Sequence, residues 1–391
     1  RLEGTGLNRG GIGARVEISY DGKLQVQEFQ PSRGYMSSMN HELIFGLGKT
    51  SVIEEIKIIW PDLLEQTLKN ISANQTITLK NREAEPADEK VPALPDPLFR
   101  KDAAEGPSFR HIENDYVDFR KQILLPHFLS TQGPKIAKGD VNNDGLVDLY
   151  FCGAKGSPGV IFIQNSNGSF REIKQECFIA DQNSEDTDAI FFDADGDKDA
   201  DLYVVSGGNE FTPSSPELQD RLYLNDGKGN FTRAAGNLPV MITSGSCVKA
   251  ADIDGDGDND LFVGGRVVPE KYPLAPRSYI LENNGKGIFK DATGKYNEAL
   301  LTPGMVTDAF WADINGDKKP DLVIAGEWMN IRIFRNTGSS LTEITDQSGL
   351  KNTEGWWNVL YPLDFDNDGD TDFIGGNMGL NTRIKVSEKE P

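Results

Sequence analysis

The chain has 391 residues, enough for two or more domains with ample core. Its 40 Lys and Arg stand against 61 Asp and Glu, a formal net charge of −21; phosphate contacts need cations, so nucleic acid and anionic membrane are excluded as partners. No apolar run approaches the ~18 residues of a membrane span, and three cysteines without a C-x-x-C pair make neither a disulfide framework nor a zinc site, so Cys152, Cys177 and Cys247 read as small core residues.

In chain order, "ARVEISY" and "KLQVQEF" flank Asp21-Gly22 and predict a hairpin, while "EEIKIIW" and "QTITLK" predict further strands. The glycine-rich "GGIGAR" fits neither the G-x-G-x-x-G spacing nor a strand–helix context, so tight turns are its expected use rather than a phosphate loop. Together "GLNRGGIGARVEI", "GYMSSMNHELIFGLG" and "IKIIWPD" resemble the ASPIC/UnbV domain over about Leu7 to Leu79. The resemblance implies a small β domain over residues 1–80 and no established chemistry. Residues 81–108, with "NREAEPADEKVPALPDPLF", are rich in proline and acid and predict a linker.

Beyond residue 108 the chain repeats itself, which identifies an array of like units. Five loops read "DVNNDGLVDLYF" from Asp140, "DADGDKDADLYV" from Asp193, "DIDGDGDNDLFV" from Asp252, "DINGDKKPDLVI" from Asp313 and "DFDNDGDTDFIG" from Asp364. Acids or amides at positions one, three, five and nine supply hard oxygen ligands from one turn, as a calcium ion requires. The candidate ligands are Asp140, Asn142, Asp144 and Asp148; Asp193, Asp195, Asp197 and Asp201; Asp252, Asp254, Asp256 and Asp260; Asp313, Asn315, Asp317 and Asp321; and Asp364, Asp366, Asp368 and Asp372. An EF-hand would carry a bidentate Glu at position twelve. Here that place holds Phe151, Val204, Val263, Ile324 or Gly375, and a short strand follows instead. The plainer alternative is that the acidic turns only solvate strand ends.

Between the loops lies a second module, an apolar strand, an Asn/Gly turn and a large apolar residue, ending at Phe170, Phe231, Phe289 and Leu341. Each copy predicts a β-hairpin. The first aspartates recur at roughly 50 to 60 residues, the length of a four-stranded propeller blade. Loops of this form alternating with N-x-G-x-F hairpins resemble FG-GAP or VCBS repeats, the blades of integrin-α-like propellers, and their pairing with an ASPIC/UnbV domain resembles bacterial cartilage-acidic-protein-like surface proteins. The expected fold class is therefore all-β: a small N-terminal β domain, then a β-propeller over residues 109–391 with about five blades, the last incomplete and the whole part of a seven-bladed ring. The segment from Phe109 to Pro134 leads into the first blade and is expected to supply a closing strand.

Up to five calcium ions are expected, with unequal affinity. Lys198 and Lys318 stand at position six where a sharp turn favours glycine, and Asn142 and Asn315 each remove a charge, so the Asp313 loop is expected to be the weakest. Loops of this type work at ~0.1–1 mM calcium, which points to an extracellular, cell-surface or periplasmic location. The expected function is a non-catalytic binding or adhesion module for a glycan or protein ligand. The alternative is a polysaccharide lyase with a general base from His127, Tyr116 or His111. For ligand contacts, Asp188 and Asp308 precede their loops by five residues, and Thr187, Ser246, Thr307 and Asn358 by six, as a ring of small polar groups on the innermost strands. Trp356 and Trp357 are candidates to stack on a sugar, or else to pack between blades.

Overall fold

The computed structural model describes residues 1–32, 37–38, 42–86 and 106–379. It divides into two compact units, Arg1–Lys101 and Asp102–Pro391.

The first unit contains β1 (Leu2–Glu3), β2 (Arg15–Tyr20), β3 (Lys23–Glu28), β4 (Val52–Ile59), β5 (Leu64–Ser72), β6 (Leu79–Lys80) and β7 (Glu85–Pro86). Its main sheet has the order β3-β2-β4-β5-β7, and β1 pairs in parallel with β6. Alternation along β2 sends Val16, Ile18 and Tyr20 into a core with Ile56, Ile58 and Trp60, while Arg15, Glu17 and Ser19 face outward. The hairpin turns at Asp21 and Gly22, both with positive φ (47° and 66°), as a two-residue turn between twisted strands demands. Gly11 also has positive φ, and a Cβ there would lie 2.9 Å from the Trp60 ring, so "GGIGAR" is a turn pressed against the core.

Two expectations change here. The strand predicted over "QTITLK" shrinks to Leu79–Lys80, and the longer strand Leu64–Ser72 was hidden because its Glu, Gln, Lys and Asn mask any alternation. Residues 81–86, expected in the linker, belong to the first unit: Asn81 is buried and bonded to Thr5 and Asp62, and Glu85 pairs with Glu65.

The second unit is built of antiparallel blades. The first is β8 (Ile136–Gly139), β9 (Asp148–Phe151), β10 (Val160–Gln164) and β11 (Phe170–Ile173); the second is β12 (Asp186–Phe192), β13 (Asp201–Ser206), β14 (Arg221–Asn225) and β15 (Phe231–Arg233). The third is β16 (Ser244–Ala251), β17 (Asp260–Val267), β18 (Tyr279–Glu282) and β19 (Lys290–Asp291); the fourth is β20 (Met305–Ala312), β21 (Asp321–Met329), β22 (Arg332–Asn336) and β23 (Leu341–Glu343). A fifth begins with β24 (Gly355–Leu363) and β25 (Asp372–Asn377), and β24 also pairs with β21. Every acidic loop joins the first strand of a blade to its second, so the repeat unit read from the sequence is the blade itself.

Successive blades press their faces together. Leu202 and Val204 of β13 pack toward the first blade with Tyr150 and Ile161, whereas Tyr203 and Val205 pack toward the third with Leu261 and Val263. Both faces of the second strands are thereby buried, which is why those strands read as unbroken apolar runs. The hairpin residues Phe231, Phe289 and Leu341 each enter the core shared with the preceding blade.

Candidate functional site: acidic loops and a central cavity

In each loop the ninth residue, Asp148, Asp201, Asp260, Asp321 or Asp372, opens the second strand and accepts from the amide of the loop's second residue at 2.9–3.1 Å. In the four complete blades its other oxygen accepts at the end of the third strand, from the amides of Gln164, Asn225, Asn283 and Asn336 at 2.6–2.8 Å. The first residue accepts from amides three to five positions on, as Asp252 does from Gly255 at 2.7 Å and Gly257 at 3.1 Å. These bonds curl the loop so that carboxylates converge. Asp193, Asp195 and Asp197, then Asp252, Asp254 and Asp260, then Asp364, Asp366 and Asp372 each bring three ligand oxygens within 4.8 Å of one another. The Asp140 and Asp313 loops carry Asn142 and Asn315 in the third position, each donating to the fifth residue, Asp144 at 3.0 Å and Asp317 at 3.2 Å.

Convergence of like charges has an electrostatic cost that a cation would offset. Burial, with the neighbouring acids adding, pushes Asp201 up to about 6 and Asp260 up to about 7 against the amides that bind them. The seventh residues, Asp199 and Asp258, are pushed up to about 7 and about 6 by burial and then by Asp197 and Asp256. Asp195, Asp199 and Asp258 each keep a buried Oδ1 without a hydrogen-bond partner. Hard, crowded and under-satisfied oxygens of this kind suit a divalent metal ion. The seventh position was not counted among the sequence ligands, although the run of alternating aspartates from Asp193 to Asp201 marks it. Lys198 and Lys318 adopt the glycine-like turn (φ 75° and 66°), and their amides bind Asp193 and Asp313 as Gly145 binds Asp140. The lysine changes the strain of the turn and leaves its course intact.

The polar ring on the innermost strands joins blade to blade. Thr187 donates to the Gly245 carbonyl at 3.1 Å, Ser246 to Val306 at 2.8 Å and Thr307 to Trp357 at 2.8 Å, each reaching the next blade. Asp188 accepts from the Val248 amide at 3.0 Å and Asp308 from Leu360 at 2.9 Å, with Lys249 pairing Asp308 at 3.0 Å. Both aspartates proposed as ligand contacts thus have structural partners. Trp357 donates to the Thr353 carbonyl at 2.8 Å and packs with Phe310 and Ile333 between blades. Trp356 is buried against His127 and Trp328, at ring distances of 4.7 and 5.2 Å.

A cavity of about 270 Å³ opens among the innermost strands. Its lining joins Thr187, Ser246, Thr307, Asn358 and Trp356 with residues the sequence did not single out: Arg266, Lys135, Gln132 and Met378. Arg266 and Glu327 stand at the same place in neighbouring repeats, after "VGG" and "AG", and a charge following an apolar strand was the available signal. Arg266 Nη2 donates to Glu327 Oε2 at 2.6 Å; Tyr272 donates to Oε1, and His127 Nε2 lies 3.2 Å from Oε2. Burial pushes Glu327 up, but His127, Arg266 and Tyr272 outweigh it and hold the carboxyl down at about 2.

His127 reaches the cavity on the segment before the first blade. That segment forms no strand among its described residues and crosses the blades instead: Phe109 packs on Phe151, Asp118 accepts from Asn209, Gln122 accepts from the Tyr272 amide, and His127 meets Glu327. Both nitrogens of His127 are engaged within the protein, Nδ1 at 2.8 Å from the Phe128 carbonyl and Nε2 beside Glu327. Tyr116 donates to the Asn209 carbonyl, and burial raises its phenol. His111 pairs with Glu113 at 2.7 Å.

Residues 4–86 match the family model for ASPIC and UnbV, and residues 140–204, 207–263 and 313–375 match the FG-GAP-like repeat. The chain is an ASPIC and UnbV domain followed by FG-GAP-like repeats. The first unit described above is the former, and the bladed unit carries the latter. No curated protein sequence matches the chain. Among solved structures, BBS1N in complex with ARL6DN, soaked with lead, is 11% identical over 94% of this chain and 85% of its own, with a TM-score of 0.35. The rhamnogalacturonan lyase PL11 of Bacillus licheniformis is 12% identical over 63% of this chain and 58% of its own, with a TM-score of 0.31.

Proposed function

We propose that this chain is a non-catalytic, calcium-stabilised module of the extracellular space, cell surface or periplasm that binds a glycan or protein ligand through its FG-GAP propeller. The observation that carries the reading is the convergence of three carboxylate oxygens within 4.8 Å in three equivalent loops, each joining the first two strands of a blade. Calcium there would neutralise the crowded acids and tie the turn to both strands, so ion binding becomes blade stability. The hard oxygen set favours calcium over softer metals, and the millimolar supply outside cells suits loops of this type.

The lyase alternative needs a base with a free lone pair beside a substrate site. His127 is engaged by the Phe128 carbonyl and Glu327, Tyr116 is a committed donor, and His111 pairs its Nε2 with Glu113 and keeps its Nδ1 buried. Thermal unfolding with millimolar calcium and then with EGTA tests the proposal: a large upward shift with calcium is expected. Identical curves in the two conditions would reduce the acidic loops to solvated strand ends.

A further inference from the structure

Charge reverses sign in the central cavity. The chain carries a net −21, yet Arg266 and Lys135 line this space and, among the described residues, no carboxylate does. Glu327 lies behind them, its side chain fully covered, and is spent on Arg266, His127 and Tyr272. Asp188, which acts on Lys135, and Asp308 are engaged by the Val248 and Leu360 amides, and Lys249 acts on both. Arg266 is 4% exposed; its Nε binds Gln132 at 3.2 Å and its Nη2 binds Glu327, but its Nη1 is buried with no partner in the protein. A buried cationic donor left unpaired is costly, and an anion in the adjoining cavity relieves that cost.

The remaining lining selects the kind of anion. Thr187, Ser246 and Thr307 each spend their hydroxyl proton on a carbonyl of the next blade, so the oxygens they offer to the cavity act as acceptors. Acceptors beside cations suit a molecule bearing both a carboxylate and hydroxyl groups. Trp356 adds an aromatic wall. A volume of about 270 Å³ lies just under the ~300–1,000 Å³ usual for ligand pockets, which fits one sugar unit rather than a chain segment.

We propose that the cavity binds a hexuronate, a single carboxylated sugar unit, with its carboxylate held by Arg266 and Lys135 and its hydroxyls by Thr187, Ser246 and Thr307. This rests on the binding-module reading and narrows its ligand to an acidic glycan.

The test is isothermal titration calorimetry of the full chain with D-galacturonate, D-galactose and N-acetylglycine, in millimolar calcium and in EGTA. Saturable one-to-one binding of galacturonate is expected, with no galactose binding. Arg266→Gln should abolish it; because that change also strips Glu327 of its cation and can unfold the chain, Lys135→Met serves as the second variant and should weaken binding roughly tenfold. Equal affinity for galactose, or an unchanged affinity in Lys135→Met, overturns the proposal. Tighter binding of N-acetylglycine does so as well, in favour of a peptide carboxylate. A calcium-dependent thermal shift without galacturonate heat removes this site and leaves the calcium-stabilised module standing; galacturonate binding without a calcium shift keeps this site and removes the calcium stabilisation.

Discussion

Substituting Asn283 by alanine should destabilise the propeller by about 1–3 kcal/mol, the loss of two side-chain hydrogen bonds. The Asn283 amide binds Asp260 and survives the change, but its side chain, 5% exposed, donates across the blade boundary to the Ala194 carbonyl at 2.9 Å and accepts from the Asn284 amide at 2.8 Å. Loss of each typical hydrogen bond costs ~0.5–1.5 kcal/mol, and the Ala194 carbonyl keeps the Gly287 amide at 2.8 Å, so no penalty for an unpaired acceptor is added. Asn225 and Asn336 make the same reach, to Val141 and Ile253, both at 2.8 Å. Gln164 occupies the equivalent place in the first blade and turns instead to the Val147 amide of its own blade at 3.1 Å, an exposed contact. Urea unfolding of Asn283→Ala and Gln164→Ala, read as midpoint shifts at constant slope, separates the two situations. A loss below about 0.5 kcal/mol for Asn283→Ala, or equal losses at both sites, would refute the claim that this asparagine latches one blade to the previous one.

In millimolar calcium, Asp252→Ala should lower the melting temperature more than Asp313→Ala, because only the former belongs to a loop with three converging carboxylates; equal shifts would contradict the ranking. Lys198→Gly should stabilise the chain by about 1 kcal/mol, since Lys198 holds a φ of 75° that glycine adopts without strain, and a calcium titration should show tighter binding. Burial, then Glu210, pushes Glu185 up to about 9. The folded state therefore keeps a proton that the unfolded state releases above its ordinary carboxylate range, and this stabilising contribution declines as pH rises from about 4.5 toward 9. With calcium saturating, Glu185→Gln should flatten that decline and gain stability relative to wild type at pH 8; parallel pH profiles would count against it. Burial pushes the Cys247 thiol up to about 12, so maleimide should label it only after unfolding.

Much of this architecture was legible in the residues because a propeller repeats one local solution. The acidic loops, the apolar second strands and the Asn/Gly hairpins each obey a short-range rule, and recurrence at a fixed interval makes them unmistakable. Leu64–Ser72 escaped because its outward residues dominate its composition. The partners of Asp188 and Asp308 were hidden for a different reason: residue spacing carries no distance to the next blade, whose amides take up their oxygens. Trp356 and Trp357 are adjacent in sequence, yet strand alternation sends one to the cavity wall and the other between blades.

The sequence by itself determined the two kinds of unit, the strand–loop–strand–hairpin repeat and the acidic character of the loops, because turn chemistry and alternation act within a dozen residues. Only the tertiary structure decided which groups meet at the centre. Arg266, Glu327, His127 and Lys135 come from separate blades and from the segment that crosses them. Their pairing depends on contacts between residues up to 200 positions apart, and no local rule specifies it.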